Sequence, residues 1–304
     1  MRTVSLAIAV LVAACDAEPL TPPPAEVAKP EPPPPPPTPP KDPPIVVRAG
    51  LEKPESVVHD AEADVYLVSN IAGKPLEKNG KGFISRVAPD GKVLELKWIA
   101  KKLDAPKGMA LSGGKLYVAD IDVVRIFDSK TGKPAGRVKI KGATFLNDVA
   151  AAADGSVYVS DTGLMQWGPY MEAKGNDAIY RLDGKKAVTV IADKALGNPN
   201  GILVDGDSLW VVNKAGELSR LSADGKRTAA GTAPKGRLDG IVKTDAGLLI
   251  SSWEAEAVYL RRADGSFETV AEKLKAPADI GHDAKRGRVL VPLLTRNELH
   301  IVPL

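Results

Sequence analysis

A hairpin-like pattern that recurs six times constrains the fold of this chain more than any other feature of its sequence. Each copy has a short apolar strand, a turn containing Gly or Asp, and a second strand rich in Val, Leu and aromatic residues. The copies are PESVVHDAEADVYLVSN, PKGMALSGGKLYVAD, LNDVAAAADGSVYVSD, PNGILVDGDSLWVVN, LDGIVKTDAGLLISS and PADIGHDAKRGRVLVPL. A self-similar unit is typical of repeat architectures, in which neighbouring units bury each other's apolar faces.

The spacing of the copies predicts a β-propeller. We take the second residue of each copy as its anchor; the anchors are Glu55, Lys107, Asn147, Asn200, Asp239 and Ala278. Successive anchors are separated by 52, 40, 53, 39 and 39 residues, similar to the ~40–45 residues of a four-stranded blade. A β-sandwich would not account for a regular sixfold unit. We therefore expect an all-β fold, a six-bladed β-propeller over residues 45–304.

The two ends of the repeat region predict how the ring of blades closes. The sixth copy is followed by ELHIVPL, which leaves the last blade one strand short. The segment from Ile45 to Leu51 reads as the missing outer strand, because it leads directly into the first anchor. An N-terminal strand that closes the last blade leaves only short, protected sheet edges, as a soluble β protein needs.

The first residues of the chain resemble a bacterial lipoprotein signal. Residues 1–14 carry one Arg and an apolar run too short to span a bilayer permanently, typical of a signal peptide. The run ends in VAAC, which resembles a lipobox, and the only cysteine, Cys15, would carry the lipid. We expect a lipid-anchored protein of the bacterial cell envelope, facing the periplasm or the surface, with neither membrane favoured. An ordinary signal peptide that happens to contain a cysteine is the alternative.

Residues 15–44 continue as a proline-rich segment. Fifteen of the 26 residues from Pro19 to Pro44 are proline, and proline lacks a backbone donor and has a fixed φ. The segment should therefore extend as polyproline II, to at most roughly 80 Å at about 3.1 Å per residue. We expect a stalk that spaces the propeller from the membrane. The alternative is a ligand for a proline-binding domain.

Charge patterning narrows the expected partners. The formal net charge is +3, and the charges are scattered, with no basic run and no interleaving of aromatic and basic residues. Nucleic-acid binding is therefore not indicated. We expect a monomer that binds a small molecule and contacts the membrane through its N-terminal lipid.

The anchors predict a polar ring at one end of the propeller channel. The first strand of each blade lines the channel, so the anchors should converge where the chain enters that strand. Two carboxylates and two amides supply oxygen ligands of the kind that Ca²⁺ prefers. A zinc site of the usual kind is not expected, because the only histidines are His59, His282 and His300 and no second cysteine exists. The alternative is a water-filled throat in which Lys107 neutralises Glu55 and Asp239 without a metal.

The phrases PESVVHD, FLNDVAAAADGSVYVSDTG, NPNGILVDGDSLWVVN and RLDGIVKTDAGLLISS resemble the senescence marker protein/gluconolactonase superfamily of regucalcin-like six-bladed propellers. Diisopropyl fluorophosphatase and the paraoxonases are more distant relatives, and the resemblance covers the chain from about residue 45. It implies that Glu55, Asn200 and Asp239 bind a divalent cation, in the first place Ca²⁺. It also implies that Asn147 joins the cation's ligands or contacts substrate.

Two residues depart from the pattern of that family. Phe145 stands where the sugar-lactone members often carry Arg, two residues before the Asn of the Asn-Asp motif, which puts a sugar-type substrate in doubt. Lys107 is also unlike the family, and it would either occupy part of the pocket or hold an anionic substrate. We treat Lys107, together with Asn147, as a candidate substrate-binding residue.

Two long connections should flank the channel mouth, at residues 70–82 and 162–178. Long loops beside a mouth are where specificity usually resides. The second offers Trp167 and Tyr170, with Met165 and Met171, as an apolar and aromatic wall over a polar floor. The alternative is that these side chains only pack the loop against the body.

Two functions remain open from the sequence. The first is a lipid-anchored, metal-dependent hydrolase of the gluconolactonase type, acting on a lactone or related small ester, with Asp239 as the general base. No Ser-His-Asp arrangement and no GxSxG motif competes with it. The alternative is a non-catalytic propeller that binds a ligand or protein at the cell envelope. A structural scaffold would explain neither the ring nor the loops.

Overall fold

A computed structural model describes residues 42–167 and 170–304, without the side chain of Trp167. The signal peptide, Cys15 and nearly all of the stalk lie outside these residues, so the expectations for them stay predictions. Within the described part of the chain, no helix has the length and apolar character needed to cross a membrane.

The described chain forms six antiparallel four-stranded sheets, the blades of a β-propeller. The chain begins with β1 (Ile45–Val47). Blade one contains β2 (Pro54–Asp60), β3 (Val65–Asn70), β4 (Phe83–Val87) and β5 (Val93–Ile99). Blade two contains β6 (Pro106–Ser112), β7 (Lys115–Asp120), β8 (Val123–Asp128) and β9 (Pro134–Lys139). Blade three contains β10 (Leu146–Ala151) and β11 (Val157–Asp161), a separate hairpin of β12 (Leu164–Trp167) and β13 (Tyr170–Ala173), and then β14 (Ala178–Asp183) and β15 (Lys186–Ala192).

The second half of the chain repeats the same unit. After a 3₁₀ turn at Lys194–Leu196, blade four contains β16 (Pro199–Asp205), β17 (Ser208–Asn213), β18 (Glu217–Ser222) and β19 (Arg227–Thr232). Blade five contains β20 (Leu238–Thr244), β21 (Gly247–Ser252), β22 (Ala257–Arg261) and β23 (Phe267–Ala271). Blade six contains β24 (Gly281–Asp283), β25 (Arg288–Leu293) and β26 (Glu298–Pro303). The prediction of six blades from the sequence spacing is confirmed.

The N-terminal strand closes the ring of blades. β1 pairs antiparallel with β26, with Ile45 opposite Ile301, and so becomes the fourth strand of blade six. The closing strand ends at Val47 rather than continuing to Leu51, whose side chain instead packs into an apolar cluster between blades six and one. The predicted closure is therefore confirmed with a shorter strand.

Apolar layers between neighbouring blades hold the propeller together. One such layer joins Leu67 and Ile84 of blade one to Leu116, Val118 and Phe127 of blade two, and all five side chains are buried. Burying a side chain of this size stabilises the fold by about 1.5–3 kcal/mol. The outer strands are more exposed, so the channel and the layers between blades carry most of the packing.

A β-bulge at the anchor turns the start of each innermost strand toward the channel in blades one to five. In blade one, Pro54 pairs with Asn70 and the next pair is Val57 with Val68, so β2 takes three steps where β3 takes two. β6, β10, β16 and β20 carry the same irregularity at their anchors. Because a bulge bends its strand and re-aims side chains, two successive residues in each of these blades can approach the channel.

Candidate functional site

Five of the six anchors line one cavity, of about 140 Å³, at the channel end where the innermost strands begin. They are Glu55, Lys107, Asn147, Asn200 and Asp239, and each has no more than 9% of its surface exposed. The sixth anchor, Ala278, is fully buried and leaves its side of the ring without a polar group. A cavity of about 150 Å³ can hold a benzene-sized molecule, so this one fits a five- or six-membered ring.

Asp239 is held by one carboxylate oxygen and presents the other. The indole Nε1 of Trp253 donates a hydrogen bond of 2.7 Å to Oδ2, while Oδ1 is buried without a partner among the described residues. Burial, followed by the charge of Asp279, raises the pKa of Asp239 to about 7. A carboxyl group that titrates near neutral pH suits proton transfer.

Glu55 is a second acid with an unpartnered oxygen in the same cavity. Its Oε2 is buried without a hydrogen-bond partner in the described structure. Burial, and then the charges of Asp239 and Asp279, raise the pKa of Glu55 well above its usual value. Buried polar atoms without partners are rare and costly. Two of them in one small cavity indicate a place for a ligand that carries positive charge or hydrogen-bond donors.

The two anchor amides are fixed by hydrogen bonds between blades. Asn147 donates from Nδ2 to the hydroxyl of Thr162 at 2.9 Å and to Oδ1 of Asn200 at 2.5 Å. Asn200 in turn donates from Nδ2 to the carbonyl of Leu238 at 3.2 Å. The amide of Asn147 accepts no hydrogen bond at its Oδ1 from the described residues.

Lys107 makes no ion pair with the acids of the ring. Its ammonium donates a hydrogen bond of 3.0 Å to the carbonyl of Ala105 and lies 4.6 Å from the centroid of the Phe145 ring. Among the described residues, no carboxylate oxygen lies within 4.0 Å of this ammonium. Burial lowers the pKa of Lys107, and the charge of Glu55 counters part of that shift. The two residues that depart from the family pattern, Lys107 and Phe145, thus contact each other.

The segment predicted to form an aromatic wall makes a hairpin instead of a loop. β12 and β13 pair with each other, with Trp167 opposite Tyr170 at the tip. Tyr170 is 69% exposed and is not among the residues that line the cavity. From this segment Thr162 and Leu164 line the cavity. The side chain of Trp167 lies outside the described structure, so its role in substrate binding stays a prediction.

The sequence reasoning missed a second set of residues at the cavity. They are the residues that directly follow the second strand of a blade, and they include Ile71, Thr162, Lys214, Trp253 and Leu294. The end of the second strand lies beside the start of the first in every antiparallel hairpin, so their position could have been inferred from the repeat. Arg237, just before β20, completes the rim near Asp239.

The oxygen atoms of the ring fit a hard divalent cation. Two buried carboxylates with unpartnered oxygens and two amides are the donor types that Ca²⁺ accepts, with water or substrate completing its six to eight ligands. The described residues contain no cluster of three or more His, Cys, Asp and Glu side chains with metal-binding geometry, so the amides are needed. His59 and His282 line a cavity at the other end of the channel, away from the anchors.

By its fold and its site, this protein is a six-bladed β-propeller with a cavity lined by acids and amides at one end of its channel. The family model described as SMP-30/gluconolactonase/LRE-like region matches residues 54–280. The chain therefore belongs to the SMP-30/gluconolactonase/LRE-like family, as the resemblance of its repeats implied.

Solved structures share this fold at low sequence identity. A putative gluconolactonase is 19% identical, with a TM-score of 0.63 over 86% of this chain and 92% of that one. A gluconolactonase from Xanthomonas campestris is 20% identical, with a TM-score of 0.58 over 87% and 98% of the two chains. A streptogramin B lyase is 12% identical, with a TM-score of 0.61 over 86% and 96%. No curated protein sequence matches the chain.

Proposed function

We propose that this protein is a divalent-metal-dependent hydrolase of small lactones or related esters. One observation carries the proposal: Glu55 and Asp239 line one cavity together with two amides, and each has a buried carboxylate oxygen without a hydrogen-bond partner among the described residues. The family of the chain supports a hydrolase of the lactonase type. The size of the cavity favours a ring of five or six atoms over a bulky ester.

The residues that would hold the cation are Glu55, Asn147, Asn200 and Asp239, and Ca²⁺ is the ion that their oxygens suit best. A bound divalent cation would polarise the substrate carbonyl and lower the pKa of a water molecule. Burying two like charges without a direct ion pair is unfavourable, and neither Glu55 nor Asp239 has an ion-pair partner within 4.0 Å among the described residues. A bound cation would relieve this repulsion. The two carboxylates would therefore destabilise the metal-free protein and stabilise the protein with a cation bound.

Asp239 is the proposed general base. Trp253 fixes one oxygen of this carboxyl group, so the other can accept a proton from water beside the substrate. Asn147 and Lys107 would contact the substrate, because both line the cavity. The hydrogen bonds from Asn147 to Thr162 and Asn200 hold its amide in place before substrate binds.

The test is calcium binding and lactone hydrolysis by the purified full-length protein. Isothermal calorimetry with CaCl₂ should show binding, EDTA should lower Tm and abolish turnover of δ-valerolactone, and added Ca²⁺ should restore both. Glu55→Gln should weaken Ca²⁺ binding, whereas Glu62→Gln, at an exposed residue outside the cavity, should leave it unchanged. A Tm that ignores Ca²⁺, together with no hydrolysis of any small lactone, would overturn the proposal.

A second candidate function is a binding propeller without catalysis. It is favoured by the Lys107 and Phe145 pair, which places a cation and an aromatic ring in the cavity where the sugar-lactone members of the family often carry Arg. A protein that binds small lactones or their open acids reversibly, with unchanged ligand recovered after long incubation, would support this function over the hydrolase.

We also propose that the protein is displayed at the cell envelope by a lipid on Cys15, with the proline-rich segment as its stalk. Cys15→Ser should move the protein from the membrane fraction to the soluble fraction. A protein whose fractionation is unaffected by this substitution would be exported or retained by another route.

A further inference from the structure

The rim of the cavity carries two cations on one side. Lys214 follows β17 and Arg237 precedes β20, so neighbouring blades four and five place both at the cavity edge beside Asp239. The backbone N–H of Arg237 donates to the carbonyl of Lys214 at 2.8 Å, which ties the two positions together. The guanidinium of Arg237 lies 5.0 Å from the centroid of the Trp253 ring, the same indole that holds Asp239.

Neither cation forms an ion pair with an acid of the described chain, although the charge of Asp239 acts on both. Neither Lys214 nor Arg237 has a carboxylate oxygen within 4.0 Å there, whereas nearby Lys235 pairs with Glu254 at 3.9 Å. Partial burial, followed by the charge of Arg237, lowers the pKa of Lys214. Two like charges side by side repel each other, and an anion bound between them would remove that repulsion.

Another part of the cavity lining is apolar. Ile71, Pro75, Leu164 and Leu294 supply it from blades one, three and six. The cavity therefore has three chemically distinct parts: an acid and amide floor, an apolar wall, and a cationic edge. A ligand that satisfies all three has a compact ring, an apolar face and one anionic substituent directed toward blades four and five.

We propose that Lys214 and Arg237 select substrates that carry a carboxylate, so that the preferred substrate class is small anionic lactones. This inference rests on the proposed hydrolase function. It adds to that function a substituent of the substrate, the carboxylate, that would be recognised but not hydrolysed. Arg237 would bind the carboxylate through its planar guanidinium, which matches two carboxylate oxygens, and Lys214 would add a point charge. Trp253 would keep the guanidinium in place by stacking.

The kinetic test compares two substrates that differ in one charge. They are 5-oxotetrahydrofuran-2-carboxylate and its neutral N-methyl amide, assayed with the full-length protein and Ca²⁺. The wild-type protein should prefer the carboxylate by about tenfold in kcat/KM, since charge-assisted hydrogen bonds at an accessible rim contribute roughly that factor. The double variant Lys214→Gln, Arg237→Gln should lose this preference, mainly through KM.

Lys235→Gln is the matched control, because Lys235 lies two residues from Arg237 and is not among the cavity-lining residues. It should leave the ratio of kcat/KM for the two substrates unchanged. Equal preference in the wild-type protein and the double variant would overturn the proposal, as would a wild-type preference for the amide.

A binding measurement separates failure of this inference from failure of the proposed hydrolase. The probe is tetrahydrofuran-2-carboxylate, which has no bond to hydrolyse, and its amide is the neutral control. If no lactone is turned over but the carboxylate binds about tenfold tighter than the amide, and only with Lys214 and Arg237 intact, then the anion site stands and the hydrolase does not. Binding that is equal for both probes, or unaffected by the double substitution, would overturn the anion site.

Discussion

Two successive positions in the innermost strands place acids in the channel. The acids at these two positions differ in how their carboxylate oxygens are hydrogen-bonded. The anchors Glu55 and Asp239 each have one buried oxygen that no residue of the described chain satisfies. The residues that directly follow the anchors form a set that we call the inner ring: Ser56, Gly108, Asp148, Gly201, Gly240 and Asp279. Both oxygens of Asp148 accept backbone hydrogen bonds, from Val149 at 2.6 Å and Ile202 at 2.7 Å.

Asp279, the other acid of the inner ring, accepts a hydrogen bond of 2.5 Å from the hydroxyl of Ser56. Asp148 and Asp279 also line a cavity of about 440 Å³ toward the far end of the channel, larger than the one at the anchors. Cavity size alone would therefore favour the far end of the channel over the anchors. The contrast is clearest with Asp148, whose two oxygens both have donors, because a buried polar atom left unsatisfied costs stability unless a ligand uses it.

The largest expected effect is the loss of lactone hydrolysis when an anchor acid, Asp239, is replaced. Asp239→Asn removes the proposed base while keeping an oxygen for the indole of Trp253, so turnover of a lactone substrate should fall about 10²- to 10⁴-fold. In EDTA, thermal unfolding should show no loss of stability, because a buried carboxylate without a full set of partners is removed. Asp245→Asn, at an exposed residue between β20 and β21, is the control. A variant that keeps a tenth of the wild-type kcat would contradict the role.

The complementary change in the inner ring should act on stability. Asp148→Ala leaves the buried N–H groups of Val149 and Ile202 without acceptors, at a cost of about 1–3 kcal/mol for each. Urea unfolding should therefore give a lower free energy of unfolding, whereas Asp207→Ala in the exposed β16–β17 turn should not. If the two variants unfold at the same urea concentration, the inner-ring acid is not structural.

The glycines of the inner ring test how closely the blades approach in the channel. A Cβ atom on Gly201 would lie 2.2 Å from the carbonyl oxygen of Asp239, so Gly201→Ala should destabilise the fold by about 1–3 kcal/mol through overpacking. Gly136→Ala is the control, since its Cβ would meet only Ile126 at an ordinary 3.7 Å. Equal unfolding free energies for the two variants would show that the blades can move apart.

A further expected effect is a dependence of stability on pH in the metal-free protein. The pKa values of Asp239 and Asp279 are raised to about 7, chiefly by burial, whereas unfolded aspartates titrate near about 3.9. Between these values the folded protein binds more protons than the unfolded chain, so the free energy of unfolding should fall as pH rises from about 4 to 7. Each group adds at most about 1.4 kcal/mol per pH unit.

Urea titrations in EDTA at several pH values measure this slope, and Asp279→Asn should reduce it. Saturating Ca²⁺ should also flatten the slope, because a cation favours the ionised carboxylates of the anchors. A free energy of unfolding that increases between pH 4 and 7 would contradict the raised pKa values.

Much of the fold could be predicted because a repeat multiplies a weak signal. One strand–turn–strand pattern of about 15 residues is ambiguous, but six copies at similar spacing define six blades, and the incomplete last copy predicts closure by Ile45 and its neighbours. The positions of Asn147 and Asn200 in one cavity also follow from the repeat. Their mutual hydrogen bond does not, since it depends on side-chain orientation across two blades.

The structure of the aromatic segment and the residues of the cavity rim were not predicted from the sequence. The length of residues 162–178 predicts a loop over the mouth, yet backbone pairing makes a hairpin that leaves Tyr170 exposed. Lys214, Arg237 and Trp253 were not predicted, because each is an ordinary residue in its local sequence and gains meaning only from its neighbours in the next blade.

The sequence by itself determined the number of blades, the closing strand and the residues that stand at the channel mouth, because periodicity is a property of the chain. Only the tertiary structure decided which partners each polar group at the channel mouth has. Lys107 could have formed an ion pair with Glu55, but its ammonium instead contacts the carbonyl of Ala105 and the ring of Phe145. Hydrogen-bond satisfaction depends on directions and distances between blades some 40 or more residues apart, which residue spacing does not encode.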